Sequence, residues 1–417
     1  MASGPPRFDN RHARPDAQAT GPASESLLTS AEACERLGIK PATLYTYVSR
    51  GLIRSVVGER RRERLYLAED VERVATNAAA RRGHGAVAAG AMRFGEPVLD
   101  TAITDAGPTQ LRYRGTDAIE LARSGASFER VASLLWQVDA PAPWPWPRAQ
   151  LLADLDARVP FVWRFATLLS RLAMSDADRA GHGWQAEPER ATRIIRTFAA
   201  NAGAAPVSSP KPQSIAATLR SQLELPHEVE PALDSALVLI ADHELNVSTF
   251  AARVAASGGA DLYASISAAL HAFSGPRHGG APHSIDALVQ AVGSASKAKA
   301  SIRARLDQAE TVAGFGHPIY PQGDLRTPLL LEWAQRIGPQ RTRLRTLLAI
   351  HEAMLVYGPH PMTVDGGLLA LAYAMGCGPD VASMLFCIGR TAGWAAHVFE
   401  QRQTGALLRP RARYVGP

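Results

Sequence analysis

A chain of 417 residues is long enough for two or three domains with separate cores, and 46% hydrophobic against 20% charged residues is the balance of an ordinary globular protein. No uninterrupted apolar run reaches membrane-spanning length, and residues 1–26, rich in Pro, Ala, Arg and Asp, lack the apolar centre of a secretory signal, so the expectation is a cytoplasmic protein with no membrane contact. Three scattered cysteines, Cys34, Cys377 and Cys387, exclude a disulfide framework or zinc site, while a net charge of +6 points towards polyanions, whether DNA or a phosphorylated cofactor.

Residues 1–26 read as a disordered arm. Thr29 with Glu32 three positions on forms a capping box ahead of Ala33 and Leu37, and Gly38 stops that helix. Pro41 then opens a second short helix through Leu44, Tyr45 and Val48, closed by Gly51. Two short helices about a tight glycine turn have helix-turn-helix spacing. From Leu52 to Leu67 the residues alternate around an arginine-rich tip, as a two-stranded wing does, and Asp70 to Val74 continue as a helix. The excess charge concentrates here, with Arg54, Arg60, Arg61, Arg62 and Arg64 against Glu59 and Glu63. Residues 76–92, rich in Ala, Gly and Arg, read as a linker.

Beyond the linker the chain reads as mostly helical. Leu262, Ile266, Ala269, Leu270 and Phe273 make one apolar face, ended by Gly275-Pro276, and Arg390, Trp394 and His397 share another helical face. Trp144-Pro145-Trp146-Pro147 belongs in a loop. Three glycine-rich turns stand out: Gly275-Pro276-Arg277-His278-Gly279-Gly280-Ala281, Ala313-Gly314-Phe315-Gly316-His317-Pro318-Ile319-Tyr320, and Thr363-Val364-Asp365-Gly366-Gly367. Glycine permits close backbone approach, so imidazoles flanked by it are aimed at a substrate. Two His and one Asp can do proton chemistry at a carbonyl, one as base at a C–H and the others as hydrogen bonders to developing oxyanions. His278 and His283, five apart across Pro282, have a poor spacing for a metal, and none is expected.

The order and surroundings of these turns resemble the citrate synthase family. The resemblance runs from about Met92 to the C-terminus and includes Leu111-Arg112-Tyr113-Arg114-Gly115-Thr116-Asp117, Asn246-Val247-Ser248-Thr249-Phe250, Gly389-Arg390-Thr391-Ala392-Gly393-Trp394 and Arg409-Pro410-Arg411. Residues 27–75 resemble the winged helix-turn-helix of the MerR and excisionase type. Together they imply a mainly α fold, a two-lobed citrate synthase-like helical domain over 93–417 with a small lobe at roughly 279–380, preceded by a small winged helix-turn-helix domain.

The resemblance implies an acyltransferase that condenses acetyl-CoA with oxaloacetate and water to give citrate and CoA. The CoA thioester is a co-substrate and no tightly bound cofactor is expected. His278 would polarise the acetyl carbonyl, with its pKa depressed by the start of the next helix; Asp365 would take the methyl proton; His317 would polarise the oxaloacetate carbonyl. His243, Arg326 and Arg390 would hold oxaloacetate, with Arg409 reaching across a homodimer. Two alternatives stay open: propionyl-CoA as substrate, giving 2-methylcitrate, and a metabolite-sensing DNA-binding regulator. Lys40, Thr43, Tyr45, Thr46 and Arg50 would face a DNA groove, with Arg60, Arg61 and Arg62 at the tip meeting the phosphates. The chain departs from the family string at Pro321, where a basic residue meets CoA phosphate, and at Leu325, Pro282, Thr363 and Gly366, the last replacing a large residue.

Overall fold

The structure, a computed structural model, describes residues 27–49, 53–57, 64–68, 70, 71, 74, 99–139, 144, 158–181, 186–203 and 213–410. The expected arm at 1–26, the linker at 76–92, and Arg50, Gly51, Arg60, Arg61, Arg62 and Trp146 lie outside these residues. The chain divides into two units, 1–100 and 101–417.

In the first unit the capping signals act as their chemistry requires. The Thr29 hydroxyl accepts from Glu32 N, the Glu32 carboxylate accepts from Thr29 N at 2.8 Å, and α1 (Ser30–Leu37) ends at Gly38 with φ 62°. Helix α2 (Pro41–Ser49) follows. β2 (Ser55–Val57) and β3 (Arg64–Leu67) pair antiparallel with Val56 opposite Leu65, which is the expected wing. A third strand, β1 (Leu27–Leu28), closes the other edge of β3; two residues are too short to leave an alternation in the sequence. Leu28, Leu37, Leu44, Ile53, Tyr66 and Val71 bury a small common core. Arg54, counted above with the basic cluster, is instead committed to buried Asp70, with Nε 2.8 Å from Oδ2 and its own backbone N–H on the same oxygen at 2.9 Å.

The second unit opens with an antiparallel meander, β4 (Thr104–Gly107), β5 (Gln110–Tyr113) and β6 (Thr116–Asp117). Helices α3 (Ala118–Arg123), α4 (Phe128–Trp136), α5 (Phe161–Ser175), α6 (Ala186–Ala200), α7 (Ile215–Gln222), α8 (Glu230–Ile240), α9 (Val247–Ser257) and α10 (Leu262–Phe273) come next. Then come α11 (Ala281–Val292), α12 (Ala298–Asp307), α13 (Thr327–Ile337), α14 (Thr342–Tyr357), α15 (Val364–Ala374) and α16 (Pro379–Thr404). The 26-residue α16 is the axis. It is buried along most of its length, and α4, α6, α8, α9, α10, α11 and α15 all pack against it. The predicted apolar face of α10 is buried at every position. No helix among the described residues is long and apolar enough to cross a membrane.

Candidate active site

The first glycine-rich turn is built by steric economy. A Cβ on Gly279 would stand 2.2 Å from the Phe273 ring, so only glycine lets the chain fold back onto the end of α10. That fold wedges the His278 ring between Phe273 and Phe386, at centroid distances of 5.0 and 5.8 Å. Burial, then the Arg390 charge, push His278 down to about 4, so it is neutral at working pH. Burial leads, rather than the helix dipole expected from the sequence; α11 starts three residues later, at Ala281. His278 Nε2 lies 2.8 Å from Ser248 Oγ, which also accepts from Trp394 Nε1 at 3.0 Å and donates to Asn246 Oδ1 at 2.7 Å. Asn246 is itself the N-cap of α9.

The second and third turns are laced together. Gly316 N donates to Pro361 O and Thr363 N to Gly314 O, both at 2.9 Å, around an isolated bridge between Phe315 and Met362. This brings the His317 loop to the first turn of α15, where Asp365 is the second residue. His317 Nδ1 accepts from Ile319 N at 3.2 Å, which leaves the proton of the neutral ring on Nε2, free to donate. Burial, then Arg326, lower its pKa. Asp365 is half-buried and pushed up to about 6, by burial first, against the pull of Arg326 and with the push of Asp324.

Three of the four expected carboxylate partners, His243, Arg326 and Arg390, are buried in the same region, their charges acting on His278, His317 and Asp365 or on one another. His243 is buried with Nε2 2.8 Å from the Tyr320 hydroxyl, and burial, Arg326 and Arg390 hold it well below the usual histidine range. Its ring is 5.5 Å from that of His317. Arg390, on α16, donates Nε to Ile240 O at 2.9 Å and lies over the Phe386 ring, while its Nη2 is buried without a hydrogen-bond partner among the described residues. Arg326 is also buried, but it is spent within the protein, donating Nε and Nη2 to the two oxygens of Asp324 at 2.8 and 2.7 Å. Arg409 is exposed and is not brought to this cluster. Leu408 N bonds Ser257 Oγ at the C-terminal end of α9, the opposite end from Ser248.

Four residues of the site carried no signal of their own in the sequence. Ser248, Tyr320 and Asp324 lie inside or beside the motifs quoted above, but their partners are 30, 77 and 40 positions away. Asp242, next to His243, is a buried hub that accepts from Thr104 Oγ1 at 2.5 Å and lies 3.2 Å from His397 Nε2. Burial alone would raise its pKa; His397, Arg390 and the Thr104 hydroxyl together bring it below the usual value. His397 is in turn 3.4 Å from Arg253, which is paired with Glu400. His283 faces Asp380 at 3.1 Å, not His278. Gly366 has a packing cause, since a Cβ there would come within 2.6 Å of Met362 Cγ, so Met362 fills the space a large residue at 366 would occupy.

An ionisable carboxyl near neutrality beside neutral imidazoles and buried guanidinium groups suits proton transfer at carbon in an anionic substrate. Comparison with known proteins agrees. The family described as "Citrate synthase, C-terminal domain" matches residues 92–411, and a helix-turn-helix domain matches 27–79. Citrate synthase 2 of Bacillus subtilis (strain 168) is 31% identical over 338 residues, covering 74% of this chain and 90% of that protein. The 2-methylcitrate synthase of Mycobacterium tuberculosis (strain H37Rv) is 30% identical over 355 residues, covering 77% and 89%. The crystal structure of citrate synthase from Thermotoga maritima MSB8 superposes with a TM-score of 0.66 at 25% identity, covering 78% of this chain and 94% of that one.

The fold is that of a carbon–carbon bond-forming acyltransferase. The chain belongs to the citrate synthase family and carries a helix-turn-helix domain ahead of it.

Proposed function

We propose that this site condenses acetyl-CoA with oxaloacetate and hydrolyses the resulting thioester to citrate and CoA. The observation that carries this reading is that Asp365, pushed up to about 6, shares the Arg326 charge with His317 and the Arg390 charge with His278, both imidazoles being lowered from the usual histidine range. Asp365 takes a methyl proton from the acetyl group while His278 donates to the thioester oxygen, giving an enol. The enol carbon attacks the ketone carbon of oxaloacetate, and His317 Nε2–H stabilises the developing alkoxide. Water then cleaves the thioester, releasing CoA. For His278 to donate from Nδ1, Nε2 must be unprotonated, which requires the single Ser248 hydroxyl proton to turn from Asn246 to His278. Arg390, with an unpaired Nη2, is the principal carboxylate clamp, assisted by His243 and by the Nη1 of Arg326, the one guanidinium nitrogen that Asp324 does not take.

A small lobe spanning roughly 279–380 closes over oxaloacetate and expels water. A second copy of the chain supplies Arg409 in a homodimer, which accounts for that side chain's exposure and its distance from its own Ser248. Relatives named for 2-methylcitrate are as similar as those named for citrate, so propionyl-CoA is a second acyl donor to assay. The reaction is assigned to the cytoplasm. Asp365 acts only when ionised, so kcat/KM for CoA release, which reports the unliganded enzyme, is expected to rise with pH through about 6. Neutral His278 adds no limb above about 4. A pH–rate profile flat from 5 to 8 would contradict Asp365 as the base.

The first unit is proposed to contact DNA. Lys40, just before α2, and Thr43, Tyr45 and Thr46 on it are exposed while Leu44 is buried in the core, so the helix is anchored from within and open to a groove. In a gel-shift titration at fixed salt, Lys40→Ala/Tyr45→Ala is expected to weaken duplex binding at least tenfold. Equal binding by variant and parent would remove α2 as the contact.

A further inference from the structure

We propose that Asp324 is a positioning residue for the condensation, holding Arg326 and the first turn of α15 together and thereby setting how Asp365 meets its substrate. This rests on the reading of Asp365 as the base. Asp324 is fully buried and its two oxygens accept four hydrogen bonds. Oδ1 accepts Arg326 Nε at 2.8 Å and Arg326 N at 3.1 Å, while Oδ2 accepts Arg326 Nη2 at 2.7 Å and Val364 N at 3.2 Å. Val364 is the first residue of α15 and Asp365 the second. One carboxylate thus satisfies an orphan N–H at the start of the helix that carries the base and occupies the Nε–Nη2 edge of Arg326.

The electrostatic consequence follows from the same geometry. Asp365 faces Arg326, Asp324, Thr363 and Arg390. Without Asp324, Arg326 would be a buried unpaired cation, and its charge already acts on Asp365. Pairing would stabilise the ionised form and make Asp365 a weaker base. Asp324 therefore spends Arg326 elsewhere so that Asp365 keeps its affinity for a proton. It also leaves Arg390 as the clamp with an open edge for substrate.

The test is a carboxyl-carbon NMR titration of the unliganded full-length protein, with the Asp365 resonance identified by its loss in Asp365→Asn. Asp324→Asn is expected to move the Asp365 midpoint down by about one to three pH units, as for a carboxylate gaining a cationic neighbour. Arg326→Gln, which leaves Asp324 unopposed, is expected to move it up. The double variant, lacking both charges, should return towards the parent value and should tolerate the loss, since the pair is replaced by neutral groups. In turnover, Asp324→Asn should lower kcat at least tenfold and shift the acid limb of kcat/KM downward, and Asp324→Glu should recover part of the rate. Movement of the midpoint in the same direction in both single variants, or no movement, overturns the proposal. The Arg326→Gln and double-variant arms decide it even if Asp324→Asn does not fold. Because the titration needs no turnover, it also separates failure of this inference from failure of the condensation reading.

Discussion

Replacing Asp365 by Asn is expected to lower kcat for CoA release by about 10²- to 10⁴-fold, the range a positioned general base contributes. The amide keeps the size of the side chain and its place at the start of α15, but it cannot accept the methyl proton. Oxaloacetate does not need that proton transfer in order to bind, so its affinity, read by calorimetry or by quenching of tryptophan fluorescence, should stay within a few-fold of the parent. The loss therefore falls on kcat and not on oxaloacetate binding. Turnover within a few-fold of the parent would assign the base to another group.

Arg390→Ala is expected to weaken oxaloacetate binding by about 2–5 kcal/mol, the cost of removing one partner from a buried charge-assisted contact. The guanidinium is buried, is anchored by Ile240 O through Nε, and has Nη2 open. Burial lowers its pKa, but a guanidinium stays protonated throughout the working range, so the clamp carries no titration of its own there. Arg390→Lys should not restore binding, because an ammonium cannot keep the Ile240 bond and also meet a carboxylate in two places. The exposed Arg409 gives a contrasting expectation: Arg409→Ala mixed with Asp365→Asn should recover some activity in heterodimers if the site is shared between copies. An Arg390→Ala chain with unchanged oxaloacetate affinity and an unchanged melting temperature would remove Arg390 from the site.

What the sequence disclosed was what short-range chemistry encodes. The Thr29–Glu32 box, the stop at Gly38 and the apolar face of α10 depend on residues three to eleven apart, and each was readable. Strand β1 was not, because two residues make no pattern and its partner Leu67 lies 40 positions away. The candidate site was legible as glycine contexts around His278, His317 and Asp365, since glycine reports a backbone constraint whatever lies across from it. Its electrostatics were not legible. The pairing of Arg326 with Asp324, and of Asp324 with Val364 N, depends on how the His317 loop is laced to residues 361–363. For the same reason the low pKa of His278 was assigned to a helix dipole. The neighbours that bury the ring, Phe273 and Phe386, are brought together by tertiary folding alone. Gly366, which stands where the family string has a large residue, is explained only by Met362, which fills the same space across the turn.

The most direct measurement is the steady-state release of CoA thiol by the full-length protein given acetyl-CoA, with and without oxaloacetate, and with the carbon product identified. Release that depends on oxaloacetate and yields one citrate per CoA is the expected result. Oxaloacetate binding with no thiol release from either acetyl-CoA or propionyl-CoA would contradict catalysis at this site and make the domain a metabolite sensor.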